Sequence, residues 1–262
     1  MRFSKAHAYG NDFLYVRSAD IAGRRLEALA RELCDRHRGA GADGLIVWER
    51  AADGASMRLF NADGSRSEVS GNGVRGLAAL LLRDNPSAHD VHITIHTEGG
   101  VKSLVRTGRV ASRQTFRAAM GLPSDLRQVK VTAAGEPLEI AVMTFGNPQC
   151  VALGDLPDRA RFERLGPALE RHGLFPDRTN VEFVHVDAPD AIRILIWERG
   201  VGPTSSSGTG SCAALIAAAA FGGASRDADV IAPGGRQRVE WRDDNVYLTG
   251  WAEVLYDGDW QL

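Results

Sequence analysis

The feature of this 262-residue sequence that most constrains its fold is an internal repeat. A Ser-Gly-x-Gly motif begins at Ser70, and a second one begins at Ser207, about half the chain length later. Small and apolar residues follow both motifs. Tandem arrays repeat every ~20 to 50 residues, so an interval this long indicates two similar halves rather than a solenoid.

Further segments match at nearly the same spacing and in the same order, which makes coincidence a poor explanation. Halves of this size are large enough to bury cores of their own. We therefore predict two similar domains that meet near residues 117–123. The matching segments are residues 9–11 with 145–147, residues 43–47 with 180–184, and residues 60–61 with 197–198.

Each half combines strands and helices in the same way. Apolar stretches such as residues 45–48 and 191–197 predict strands, and the apolar spacing of residues 24–37 predicts a helix. Residues 73–83 and 210–221 are apolar on nearly every side, which is typical of a fully buried helix. We expect an α+β fold in which each domain is a curved, mixed or antiparallel sheet wrapped around a central helix.

Composition excludes several classes of function. A net charge of −2 gives no electrostatic reason to bind nucleic acid or an anionic membrane. No apolar run has the length of a membrane span, and the N-terminal residues lack the apolar core of a signal peptide, so we expect a cytoplasmic protein. The three cysteines, Cys34, Cys150 and Cys212, do not form a disulfide framework, and no Cys/His set completes a metal site.

The two Ser-Gly-x-Gly motifs are candidate binding sites because each opens a predicted buried helix. The first turn of a helix carries free N–H groups and the positive end of the dipole, and glycine lets a ligand approach closely. A carboxylate fits such a position. We expect the two helix ends to face one interdomain cleft, with Ser70 and Ser207 on opposite sides of the ligand. The alternative is that each serine is only an N-cap.

Two equivalent groups on opposite faces of a carbon suit one type of reaction. Inverting a carbon beside a carboxylate requires removal of a proton from one face and delivery of another to the opposite face. Negative charge that develops on the carbon would spread into the carboxylate, where the helix N–H groups stabilise it. The residues therefore favour inversion of a carbon next to a carboxylate.

The sequence resembles the diaminopimelate epimerase family over nearly its whole length. The resemblance depends on the order and number of short motifs, since each motif alone is only moderately specific. The motifs are residues 5–13, 33–37, 41–44, 60–65, 71–75, 146–148, 180–181, 198–202 and 208–210.

The resemblance implies a specific fold and activity. Residues 1–116 and a returning C-terminal strand at 252–262 would form the first epimerase half, and residues 117–251 the second. The reaction implied is inversion of LL-diaminopimelate to meso-diaminopimelate, on the route to lysine and peptidoglycan precursors. It would need neither pyridoxal phosphate nor a metal ion, and the family suggests a homodimer that binds only its small amino-acid substrate.

The resemblance also assigns the site residues. Ser70 and Ser207 occupy the two catalytic positions. The substrate α-carboxylate would bind at Gly71, Asn72, Gly208 and Thr209. The far end of the substrate would bind a polar set in which a guanidinium suits a second carboxylate and a carboxylate suits an ammonium group. This set comprises Asn11, Asn61, Asn147, Asn180, Glu198 and Arg199.

The chain departs from the family at chemically important positions. The family has cysteine where this chain has Ser70 and Ser207, and a serine hydroxyl is far less acidic than a thiol, whose pKa is about 8.5. Gln149 replaces the family's histidine, Pro203 a glutamate, and Gly76 a frequent second cysteine. Three explanations stay open. The first is natural divergence, either towards an easier isomerisation or another substrate or with another base such as Glu198. The second is an engineered substrate trap, and the third is a binding protein without catalysis.

Overall fold

The computed structural model describes residues 1–21, 23–87 and 89–261, and these divide into two compact units. The first unit comprises residues 1–118 and 250–262, and the second comprises residues 119–249. The boundaries fall within two strands, so the chain passes from one unit to the other without a separate linker. Within the described residues, no helix is long and apolar enough to cross a membrane.

Strands dominate both units, with two α-helices in each among the described residues and a 3-10 helix at Ser18–Ile21 in the first. In the first unit the elements are β1 (Arg2–Ala8), β2 (Asn11–Arg17), α1 (Leu26–Cys34), β3 (Gly44–Ala51), β4 (Gly54–Asn61), β5 (Arg66–Ser67), α2 (Gly71–Leu81), β6 (Val91–Thr97), β7 (Gly100–Val110) and β8 (Arg113–Ala119). The remaining elements are β9 (Ser124–Ala133), β10 (Glu136–Phe145), β11 (Asn147–Leu153), α3 (Arg159–Glu170), β12 (Asn180–Ala188), β13 (Ala191–Glu198), β14 (Gly202–Thr204), α4 (Gly208–Phe221), β15 (Asp227–Ala232), β16 (Gly235–Trp241) and β17 (Val246–Asp259).

The two units repeat one pairing pattern. In the first, β1 and β2 are antiparallel, β2 and β3 parallel, β3 and β4 antiparallel, and β4 and β6 parallel. In the second, β10 to β13 and β15 repeat this sequence of antiparallel and parallel pairs. Each parallel pair is joined through a helix, as parallel strands require. The sequence repeat is therefore also a repeat of topology, and the predicted α+β class is confirmed.

The last strand pairs with β16, β1 and β8. Its first half pairs with β16, where Arg238 lies opposite Thr249, and its second half pairs with β1, where Arg2 lies opposite Asp259. The register shifts between Lys5 and Ala6, whose partners are Tyr256 and Val254, so the extra residue Leu255 marks a bulge in β17. Pairing with β1 covers a strand edge that would otherwise be exposed.

A buried helix forms the centre of each unit. Helix α2 contacts β1, β2, β6 and β7, and helix α4 contacts β10 to β13, β15 and β16. Residues 72–79 of α2 and residues 210–218 of α4 are buried throughout. Helix α4 owes this to its composition, since alanine, leucine and isoleucine cover all of its faces.

Helices α1 and α3 lie outside the central helices and each bury one face. Leu29, Ala30 and Leu33 of α1 join a core cluster with β2 and β3. The predicted helix over residues 24–37 is too long at both ends, because α1 begins at Leu26 and ends at Cys34. Asp35 has extended geometry, and its carboxylate accepts hydrogen bonds from the N–H groups of His37 and Arg38. This local turn competes with continuation of the helix.

Candidate active site

Ser70 is the N-cap of α2. Its backbone is extended, with φ −130° and ψ 123°, and its Oγ accepts a hydrogen bond from the Gly73 N–H at 3.2 Å. Serine is favoured here because its short side chain satisfies one of the free N–H groups of the first turn. The first N–H groups of an α-helix have no intrahelical acceptor, which leaves Gly71 and Asn72 as donors at this end.

Ser207 has the same role at the start of α4. Its φ of −136° and ψ of 130° nearly equal those of Ser70, and its Oγ accepts from the Gly210 N–H at 3.0 Å. Gly208 and Thr209 provide the equivalent first-turn N–H groups. Both serines are partly exposed. Each Oγ uses a lone pair for capping, so its proton stays available for another acceptor.

Asn72 contributes to this end of α2 through its backbone rather than its side chain. The residue is 4% exposed, and its Oδ1 accepts a hydrogen bond from Nη2 of Arg75. Arg75 is itself 1% exposed and lies over the ring of Tyr9, with 5.9 Å between the guanidinium carbon and the ring centroid. The Asn72 side chain therefore braces the helix from inside the unit.

The predicted polar residues of the first unit are held by short-range contacts. Asn11 begins β2, and its amide donates to the Asp43 carboxylate at 3.2 Å. Asn61 ends β4, and its amide donates to Oγ of Ser65 at 2.9 Å. Positive φ angles occur just before Asn11, at Tyr9 and Gly10, so Asn11 itself is not the left-handed residue of this turn.

The second unit brings several predicted residues together. Oδ1 of Asn180 accepts from the backbone N–H of Arg199 at 2.9 Å, which ties the start of β12 to the end of β13. The exposed Arg199 guanidinium donates to the Asp177 carbonyl at 3.3 Å. The Asn147 side chain contacts the buried amide of Gln149. Thr209 lies near the turn at Gly146, whose added Cβ would be 3.9 Å from the threonine methyl group.

A residue that the sequence motifs did not identify lies next to Ser207. Glu182, on β12, is completely buried. The Gln149 amide, oriented with its nitrogen towards this carboxyl group, lies 3.2 Å from both of its oxygens. Burial raises the pKa of Glu182 well above its ordinary value, and the nearby Glu198 carboxylate raises it further. Both effects favour the protonated form of this carboxyl group.

The sequence carries a signal for Glu182, which lies in a run of five buried residues, Asn180–Val184. Acidic residues are almost never fully buried unless they are paired. A glutamate within an apolar strand run is thus a candidate for function, although its neighbours cannot be read from the run itself.

Comparison with known proteins supports the family resemblance. The family model for diaminopimelate epimerase matches residues 3–121 and 140–255. A diaminopimelate epimerase from Desulforudis audaxviator is 39% identical over 282 aligned positions, which cover 99% of each chain. Another from Nostoc punctiforme is 37% identical, with 98% of this chain and 99% of that one covered.

Solved structures show the same fold at low sequence identity. A probable proline racemase from Agrobacterium radiobacter matches with a TM-score of 0.74 at 18% identity, covering 100% of this chain and 93% of that one. A hydroxyproline epimerase from Agrobacterium vitis matches with a TM-score of 0.73 at 16% identity, covering 98% and 91%. The family model and the full-length relatives show that this chain belongs to the diaminopimelate epimerase family and is an isomerase that inverts an amino-acid α-carbon.

Proposed function

We propose that this chain converts LL-diaminopimelate to meso-diaminopimelate without a cofactor, as a step of lysine biosynthesis. The observation that carries the proposal is the pair of matched helix N-termini, at Ser70 and Ser207, each with a capping hydroxyl followed by glycine. Full-length relatives with 35–39% identity are diaminopimelate epimerases, which favours this substrate.

In the proposed mechanism, the N–H groups of Gly71, Asn72, Gly208 and Thr209 bind the α-carboxylate. As the α-proton leaves, the charge that develops on the carbon spreads into this carboxylate, where the N–H groups stabilise it. Ser70 and Ser207 exchange protons with opposite faces of the α-carbon. The distal amino acid end binds the set of Asn11, Asn61, Asn147, Asn180, Glu198 and Arg199.

Incubation with LL-diaminopimelate in D₂O tests the activity directly. We expect deuterium at the α-carbon together with conversion to the meso isomer, followed by mass spectrometry and chiral chromatography. Absence of exchange above the buffer rate after hours, with the protein shown to be folded by circular dichroism, would refute the proposal.

Restoring the thiols tests whether the rest of the site is in register. Because a thiol is far more acidic than a serine hydroxyl, the double variant S70C/S207C should raise kcat by roughly 10²-fold or more. Each single variant should give a smaller gain. S103C, which adds a thiol at an exposed position on β7, is the control and should leave kcat unchanged. A double variant no faster than wild type would contradict the assignment of these two positions.

A related substrate is the second candidate, because Ser70, Ser207 and Gln149 replace residues that the diaminopimelate epimerases use. A thermal-shift panel of amino and hydroxy acids separates the cases. Stabilisation by diaminopimelate with α-proton exchange supports the first proposal, whereas exchange on a monocarboxylic ligand alone supports a different racemase. Stabilisation without exchange on any ligand would identify a binding protein that has lost catalysis.

The family also motivates proposals about assembly and location. We expect a homodimer, which size-exclusion chromatography with light scattering would show as twice the mass of the 28.2 kDa chain. We expect a cytoplasmic enzyme, and fractionation of the native host's cells with an antibody against the chain would test this.

A further inference from the structure

The carboxyl group of Glu182 and the hydroxyl of Ser207 border the same space at the first turn of α4. A Cβ atom placed on Gly210 would lie 2.5 Å from Oε1 of Glu182 and 3.0 Å from Oγ of Ser207. Only glycine leaves this space open to both oxygens. A buried strand residue and a capping residue 25 positions later in the chain are thus brought to one point.

The surroundings of Glu182 leave it able to give and accept a proton. The charge of Glu198 on β13 acts on Glu182. Cys150 on β11 is also close, because burial raises the pKa of its thiol and the charge of Glu182 raises it further. The Gln149 amide donates to the carboxyl group. The positive end of the α4 dipole favours the ionised form and opposes the effect of burial. Among the residues that the structure describes, no cationic side chain forms an ion pair with Glu182.

The first unit lacks this feature at the equivalent position. A Cβ atom placed on Gly73 would lie 2.8 Å from Cδ1 of Ile46 and 3.7 Å from Oγ of Ser70. Ile46 lies on β3, the strand that corresponds to β12 in the repeat. The two serines therefore have the same backbone geometry but different neighbours, one a carboxyl group and the other an isoleucine.

We propose that Glu182 is a positioning residue that exchanges a proton with the substrate through Ser207, which makes the two proton-transfer groups of the enzyme chemically unequal. The proposal rests on the proposed epimerase function. When Ser207 acts as the base, its Oγ takes the α-proton while its own hydroxyl proton moves to the Glu182 carboxylate. The C–H electron pair stays on the α-carbon and spreads into the substrate carboxylate.

The reverse step uses the protonated form of Glu182. The carboxyl proton moves to Oγ of Ser207 while the serine hydroxyl proton moves to the α-carbon. In both directions the serine ends with one proton, so no free alkoxide forms. This is the physical gain of the relay. An alkoxide is too basic to form near neutral pH, whereas the Glu182 carboxyl group, whose pKa is raised by burial, can hold the proton in its place.

A thiol probe tests the juxtaposition without any need for activity. In the S207C variant, the thiol and Glu182 should titrate as a coupled pair, because two negative charges at this separation oppose each other. Adding E182Q should lower the pH at which the rate of iodoacetamide alkylation reaches its plateau by about one unit. The native thiols of Cys34, Cys150 and Cys212 are buried and sheltered from the reagent.

The matched control is S70C with and without E182Q, since Ile46 is the neighbour at that position. Its alkylation profile should be the same in both backgrounds. An unchanged profile for S207C on adding E182Q, with folding confirmed by circular dichroism, would overturn the proposal even if the enzyme is an active epimerase.

Kinetics then test the relay in the wild-type enzyme. E182Q should lower kcat by roughly 10²-fold, and E182D should recover part of it. Reaction of one isomer requires ionised Glu182, so its kcat/KM should fall at acid pH. Reaction of the other isomer requires protonated Glu182, so its kcat/KM should fall at alkaline pH. E182Q should remove both limbs. E170Q, which alters a buried carboxylate bonded to Trp197 and Gly200, should affect stability but keep both limbs.

The two experiments separate the possible failures. Inactive wild-type protein with coupled titration at residue 207 would reject the proposed function and keep the Glu182 pairing. Active wild-type protein whose pH profile is the same in E182Q would reject the relay and keep the function.

Discussion

At the scale of single residues, Ser70 and Ser207 stand where the family resemblance implies cysteine. Both serines are N-caps, as their residue type predicts, and this is compatible with a catalytic role because capping uses only an oxygen lone pair. The assignment of the twelve predicted site residues stays a prediction. Glu182, outside that set, is a fully buried carboxyl group whose pKa is raised by burial.

Gly76 shows how closely the central helix of the first unit is packed. A Cβ atom at this position would overlap the hydroxyl of Tyr15, which donates to the Gly73 carbonyl at 3.0 Å and is buried. We expect G76A to reduce the free energy of unfolding by about 1–3 kcal/mol, as overpacked cores do. Urea denaturation would measure this loss.

Removing the Tyr15 hydroxyl provides the matched test of this explanation. Y15F by itself should lower the free energy of unfolding. The double variant G76A/Y15F should lose less free energy of unfolding than the sum of the two single losses. Additive losses would show that the tyrosine hydroxyl is not the obstacle.

At the scale of elements, helix N-termini are the best-predicted feature. The Ser-Gly-x-Gly motifs correctly indicated the starts of α2 and α4, because capping depends on residues within one turn of each other. The start of α3 follows the same rule, with Asp158 accepting a hydrogen bond from the Arg161 N–H at 2.8 Å. Helix α1 has no side-chain cap, and its ends were predicted least well.

The cap of α3 allows a quantitative test. D158A should lower the free energy of unfolding by about 1 kcal/mol, since it leaves a first-turn N–H without its side-chain acceptor. D158N should retain most of the stability, because asparagine caps nearly as well as aspartate. Thermal unfolding of the three proteins would measure both effects, and equal losses in the two variants would exclude capping as the cause.

At the scale of the whole molecule, stability against acid depends on carboxylates whose pKa values are lowered by folding. Asp12 is one of these. Burial alone would raise its pKa, but hydrogen bonds and charges from Arg36 and Lys5, at 2.8 and 2.9 Å, outweigh that effect and lower it. The contribution of a lowered pKa is present above the ordinary aspartate value of about 3.9 and is lost as the pH falls through the folded-state value.

The variant D12N should therefore be less stable than wild type at neutral pH and lose less stability on acidification. The difference between the two proteins should shrink below about pH 4. Chemical denaturation at a series of pH values would measure it. A constant difference across the series would show that Asp12 acts through its shape rather than its charge.

Much of the fold was accessible from sequence because it depends on local rules. The duplication, the two buried helices and the strand periodicity at residues 45–48 and 191–197 follow from spacing along the chain. The family follows from the order of short motifs, and the full-length relatives confirm it. The ends of α1 could not be read in this way, since the Asp35 turn competes with helical hydrogen bonds.

What the sequence alone determined is thus the class of fold, its repeat and the chemistry of the helix ends. Only the tertiary structure decided which side chain stands beside each serine. Glu182 reaches Ser207 because β12 packs against α4, and Ile46 takes the equivalent place beside Ser70. The physical reason is that capping and periodicity act within a few residues, whereas burial and the raised pKa of Glu182 arise from elements that are distant in the chain.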